Sequence, residues 1–316
     1  MEKTRDYGWD NIKCILIFLV VLGHMLEFCK VFGGEVLYRL IYFFHMPAFL
    51  FLSGYFTRKK PKLSGVLEQL LVYCVFQILY ILFARYALHT EESLRFSTPY
   101  WILWFALVRL YFTILTPLYA KGNRALVLSL AFLLSFAIGY FDGVGYRFSL
   151  SRFFVFQPFF ILGLYYQEAK PQIDSFFAQR NLHKWLLCIA TVLTIPLAFW
   201  QKIINRMLYG SYSYADANGI FFRVLLAVVA FLWIGFFCVI VFPKVNRKIN
   251  CISTIGANSL PIFLFHGFVM KLLVQYGGVW RNSYLVIVLV SILCLFAFGN
   301  PFCTALVRLK VHIPPK

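Results

Sequence analysis

Asp10-Asn11-Ile12-Lys13-Cys14-Ile15-Leu16-Ile17-Phe18-Leu19-Val20-Val21-Leu22-Gly23-His24 decides how this chain is built. Between Lys13 and His24 no side chain carries charge, and the run reads as a helix embedded in a membrane. On that helix Lys13 and His24 lie on one face, about three turns and about 16 Å apart along the axis. A cation near one surface and an ionisable ring near the other suggest a path across the bilayer. Ionisable groups inside a membrane are costly and persist where they work.

The surrounding sequence repeats the theme. Of 316 residues, 61% are hydrophobic and 13% charged, with a mean hydropathy of +0.77. Apolar runs near 20 residues recur along the length, which predicts an all-α, polytopic integral membrane bundle forming one domain over residues 1–316. About ten transmembrane helices are expected, over residues 11–29, 36–56, 65–87, 100–119, 123–141, 150–168, 184–203, 219–242, 256–275 and 283–304. The runs do not alternate, so an outer-membrane barrel is excluded. The first run follows a basic stretch, as in a signal peptide. It is too long for one and no small-x-small site follows, so it is expected to stay as a helix.

A net charge of +18 invites a nucleic-acid reading, but the positions of the charges argue for topology. One set of loops holds Lys3, Arg5, Arg58, Lys59, Lys60, Lys62, Lys121, Arg124, Lys170, Arg180, Lys184, Lys244, Arg247, Lys248, Arg308 and Lys310. The facing loops hold Lys30, Arg95, Arg147, Lys202, Arg206 and Arg281. This bias predicts cytoplasmic termini and a multi-pass protein of the cell membrane, with the lipid bilayer rather than nucleic acid as partner. The eight cysteines form no CxxC pair and sit mostly in apolar runs, so neither a disulfide framework nor a metal site is expected.

Four ionisable residues fall well inside the expected spans: His24, His45, Arg109 and His266. A lone membrane histidine is usually structural; three in separate spans with an arginine predict a shared polar cavity. His45 precedes Pro47, which cannot donate to the Phe43 carbonyl and should kink the helix. His266 follows Pro261, a second proline-marked entry. Lys13 and the cluster Arg58-Lys59-Lys60 have the charge to clamp a polyanionic donor, although such cations also serve ordinary topology. Neutral His24 has the chemistry of a general base. Glu27, three residues on, shares its helix face and is placed to orient it or to bind an acceptor. In the outer loop 204–218, Tyr209, Tyr212, Tyr214, Asp216 and Asn218 could contact a sugar, though tyrosine favours membrane interfaces in any case.

These motifs resemble the membrane-bound acyltransferase family 3, in particular its fucose 4-O-acetylase-like branch. The resemblance rests on Asp10-x-Ile12-Lys13 with Leu22-Gly23-His24 and on Phe44-His45-Met46-Pro47-Ala48-Phe49-Leu50-Phe51-Leu52-Ser53-Gly54-Tyr55. Trp101-x-x-Trp104, Arg152 with Pro158-Phe159-Phe160-Ile161-Leu162-Gly163, and Ile255-Gly256-Ala257-Asn258-Ser259-Leu260-Pro261 through His266 extend it over nearly the whole chain. It implies transfer of an acyl group, usually acetyl, from cytoplasmic acyl-CoA to an exported or lipid-linked glycan. His24 would be the essential histidine and Lys13 its basic partner. The chain departs from the family at Lys13, where members commonly have arginine, and in the third span, where Arg85 stands without a paired arginine.

The expected function is therefore an O-acetyltransferase with acetyl-CoA as donor and a cell-surface glycan or lipid-linked sugar as acceptor. His24, Glu27 and His45 are the catalytic candidates. Asp10, Lys13, Arg58, Lys59 and Lys60 would hold the donor, and Arg109, Arg152 and His266 the acceptor. A proton-coupled transporter using the three histidines as a relay is the main rival, and a non-catalytic envelope subunit a third reading. The sequence does not set the oligomeric state.

Overall fold

The structure is a computed structural model describing residues 6–29, 31–179, 183–200, 205–214 and 218–311. Lys3, Arg5, Lys30, Arg180, Lys202 and Asp216, used above for orientation or sugar contact, lie outside the described residues. Every long element is helical: α1 (Tyr7–Phe28), α2 (Gly34–Tyr42), α3 (His45–Phe56), α4 (Leu63–Tyr86), α5 (Trp104–Lys121), α6 (Arg124–Ala137), α7 (Leu150–Gln179) and α8 (His183–Phe199). There follow α9 (Asn205–Leu208), α10 (Gly219–Phe236), α11 (Phe242–Val245), α12 (Asn250–Ala257), α13 (Ser259–Tyr276), α14 (Tyr284–Phe298) and α15 (Pro301–Val307).

Among the described residues, 7 helical segments are long and apolar enough to cross a membrane. The other three expected spans depart from the simple pattern. Arg124–Tyr140 and Trp185–Phe199 are apolar but shorter than the length that spans a hydrocarbon core. The last span is two helices bent by 74°, because Gly299-Asn300-Pro301 cannot continue a straight helix.

The chain forms two compact units. The first comprises residues 1–46, 173–200 and 229–307; the second comprises 47–172, 201–228 and 308–316. In the first unit α1 is the central helix and packs against α2, α12, α13 and α14. It is apolar and buried on most of its surface, as an interior helix must be. Gly256 lets α12 cross it closely: a Cβ there would overlap the Asp10 carbonyl oxygen. Asn11 then ties the crossing together. Its amide nitrogen donates to the carbonyls of Val245 (2.7 Å) and Arg247 (2.9 Å), and its oxygen accepts from Ser253 Oγ at 2.7 Å.

The second unit contains a reciprocal glycine crossing. A Cβ on Gly54 of α3 would overlap the Phe160 carbonyl oxygen, and one on Gly163 of α7 would overlap the Phe51 carbonyl oxygen. Small residues at such contacts let membrane helices gain dispersion energy that apolar lipid alone does not supply.

Two helix breaks lie beside polar side chains. The chain leaves helical hydrogen bonding at Phe43-Phe44, four residues before Pro47, and restarts at His45. Pro47 is thus in the first turn of α3, where a missing N–H leaves no gap. Pro261 sits likewise in the first turn of α13, and the break before it is at Asn258 (φ −109°, ψ 36°). Asn258 is satisfied there by Thr304, whose hydroxyl donates to its side chain at 2.7 Å. A π-helical turn at Phe237–Val241 ends the straight course of α10. Trp233 stacks on Phe44 beside the first break and Phe237 packs on it at a tilt, with ring centroids 4.8 and 5.7 Å away.

Candidate active site

The strongest constellation in the first unit joins residues far apart in sequence. His24 Nδ1 lies 2.9 Å from His266 Nε2, with the rings only 9° from parallel. His24 is 9% exposed and His266 0%. Gly23 admits the neighbouring helix: a Cβ there would meet the Tyr42 ring at 3.0 Å. Tyr42 presents its ring at 77° to His24, with centroids 6.2 Å apart. Its hydroxyl donates to Glu27 Oε2 at 2.9 Å. Glu27 is thereby tied to the tyrosine that flanks His24.

His45 joins this group through the other side of Tyr42, with ring centroids 4.6 Å apart. It is 1% exposed. Its Nδ1 lies 2.8 Å from the Ile41 carbonyl, while Nε2 is buried without a hydrogen-bond partner among the described residues. Tyr42 therefore links His24, Glu27 and His45 in one unit, and His266 joins them through His24.

The expected donor-holding residues are dispersed. Lys13 forms an ion pair with Asp10 at 2.7 Å on the first turns of α1. Arg58 and Lys60 are exposed in the loop after α3, and Lys59 pairs with Glu168, which also pairs with Arg124. The expected acceptor-holding arginines belong to the second unit. Arg109 is half-buried on α5. Arg152 is 6% exposed. Its Nε donates to the Tyr209 carbonyl at 3.0 Å, and its guanidinium lies 4.8 Å from the Trp104 ring centroid and 4.9 Å from that of Tyr146. Burial pushes the Tyr146 hydroxyl up, but the Arg152 charge and a hydrogen bond with Tyr212 outweigh it, leaving Tyr146 below the usual tyrosine range.

The tyrosines of the segment before α10 pack on the protein itself. Tyr146 and Tyr212 hydroxyls are 3.3 Å apart. The Tyr214 hydroxyl donates to the Phe136 carbonyl at 2.7 Å, and Arg223 covers the Tyr214 ring at 4.8 Å. Their satisfied partners fit the interfacial role that tyrosine has in membrane proteins generally.

A family model of acyltransferase domains matches residues 6–305, which carry all of these groups. The chain belongs to the acyltransferase 3 family. Its relatives include nodulation protein NolL of Sinorhizobium fredii, 28% identical over 327 residues that cover 90% of this chain and 84% of the relative. Nodulation protein NolL of Mesorhizobium japonicum is 24% identical over 311 residues, covering 88% and 81% respectively. No solved structure matches. The protein is thus a membrane acyltransferase, and its buried histidine cluster is the candidate centre for acyl transfer.

Tyr42 of this cluster, and Asn11 and Arg39 elsewhere in the same unit, have no role in the sequence analysis. Tyr42 lies in an apolar run among other aromatics, which gives it no distinguishing signal. Asn11 occupied an unassigned place within the Asp10 to Lys13 motif, although a polar amide opening an apolar run was a usable signal. Arg39 was overlooked near the start of the second span. It is 9% exposed and donates to the Ala198 carbonyl at 3.2 Å, with Nε buried and unpartnered among the described residues.

Proposed function

We propose that this acyltransferase is an O-acetyltransferase of the cell membrane. Acetyl-CoA from the cytoplasm is the donor, and a sugar hydroxyl of a cell-surface polysaccharide or lipid-linked glycan precursor is the acceptor. The observation that carries this reading is a histidine pair at membrane depth, His24 with His266, in a chain of the acyltransferase 3 family. Acyl transfer to a hydroxyl requires a group that removes the hydroxyl proton as oxygen attacks the thioester carbonyl, and neutral imidazole does this near neutral pH. His24 has that role. The CoA phosphates are recognised by the exposed cations Arg58 and Lys60, and Lys59 joins them when it leaves Glu168. Lys13 keeps its charge balanced by Asp10.

The test is made on protein in lipid nanodiscs with acetyl-labelled CoA and an extract of envelope glycans or lipid-linked sugars. Wild type is expected to release CoA and label the extract, and His24→Ala to do neither. A wild type that binds no acetyl-CoA and releases none with any extract removes the reading. Substrate-coupled proton flux in sealed vesicles reconstituted with the same protein would then identify a transporter.

A further inference from the structure

The hydrogen bonds around His266 determine where the protons sit on both rings of the buried pair. A carbonyl oxygen only accepts, so the 2.9 Å contact between His266 Nδ1 and the Ile262 carbonyl requires a hydrogen on Nδ1. In a neutral ring that leaves the lone pair on His266 Nε2. That nitrogen lies 2.9 Å from His24 Nδ1, so the hydrogen between the rings belongs to His24. The His24 lone pair is then on Nε2. Neutral rings are the form that membrane burial favours, because charging either one would place an ion in a low-dielectric interior.

We propose that His266 is a positioning residue that holds His24 in the tautomer able to act as a base at Nε2. The proposal rests on the reading of His24 as the base and differs from the sequence expectation that His266 binds acceptor. In the transfer step the acceptor O–H bond breaks as its oxygen bonds to the thioester carbonyl carbon, and the proton passes to His24 Nε2. The C–S bond then breaks, and the leaving thiolate takes that proton to give CoA thiol and neutral His24. While His24 carries both N–H groups, His266 Nε2 accepts the Nδ1–H and spreads the positive charge. Soluble Ser-His-Asp enzymes assign this orienting work to a carboxylate. Here a neutral imidazole, itself anchored to its own helix, does it without burying a permanent anion.

The test compares His266→Phe, which keeps the ring but has no acceptor, with His266→Gln, whose side-chain carbonyl can replace Nε2. In nanodiscs with acetyl-CoA and the glycan extract, His266→Phe is expected to lower kcat about 100-fold, with the acetyl-CoA KM within about twofold. His266→Gln is expected to recover about tenfold of that loss. Nitrogen NMR of histidine-labelled wild type, assigned by the missing signals of each variant, should show His24 protonated at Nδ1. Equal losses in both variants, wild-type rates in both, or a proton on His24 Nε2 would overturn the proposal. If His266→Phe does not fold, His266→Gln assigns the His266 signals and the wild-type tautomer decides the matter. A His24→Ala variant as active as wild type would remove the base reading itself, while the tautomer measurement still tests the proton placement.

Discussion

The starts of α3 and α13 are built alike. Each has a proline in its first turn and carries a histidine whose Nδ1 donates to the carbonyl four residues before it, Ile41 for His45 and Ile262 for His266. Both rings therefore expose the lone pair of Nε2, and both are fully buried. They differ in what meets that lone pair. His266 Nε2 has His24; His45 Nε2 has no partner among the described residues. Leaving a buried acceptor unsatisfied costs about 1–3 kcal/mol. One histidine is thus joined to a second ring within the protein, and the other directs its acceptor nitrogen to no side chain or carbonyl among the described residues.

Substitutions can break or sharpen this contrast. The largest effect is expected at the residue His266 supports: His24→Ala should lower turnover by about 1,000-fold or more, read as CoA release. Loss of the support itself, in His266→Phe, comes next at about 100-fold. His45→Asn is the sharper comparison, because its amide nitrogen can still reach the Ile41 carbonyl while Nε2 is deleted. It should leave thermal stability within about 1 kcal/mol of wild type and raise the acceptor KM about tenfold. An unchanged KM would make His45 a helix-start device only. Tyr42→Phe should have the smallest effect, a few-fold loss in kcat, because it keeps the ring between His24 and His45 and removes only the hydroxyl on Glu27. A loss as large as that of His24→Ala would show that the Tyr42 hydroxyl itself takes part in proton transfer.

Much of this was legible in the chain, at the level where composition and burial costs act. A helical membrane protein follows from recurrent apolar runs, and the histidines stand out because charge at membrane depth is expensive. Exact span number was harder to read. Hydropathy does not register the 74° bend after Phe298, nor that the helix from Arg124 ends at a 3₁₀ turn by Tyr140. The partner of His24 was hidden for a different reason: no periodicity tells which helices face each other, and His266 is 242 positions away. Arg109 and Arg152 share an expected acceptor-holding role in the sequence. Their surroundings separate them, since Arg152 is enclosed by Trp104, Tyr146 and the Tyr209 carbonyl, none of which its own sequence neighbourhood announces.

The glycine crossing of α3 and α7 has a consequence for how this protein can change. A side chain that collides with another side chain can be rescued by trimming the second one. At Gly54 and Gly163 the obstacle is a main-chain carbonyl, at Phe160 and Phe51 respectively. Every amino acid has that oxygen, so no replacement of Phe160 or Phe51 removes it. A mutant at either glycine therefore has no suppressor at the site of collision, and a genetic screen should return only revertants or distant substitutions that move a whole helix.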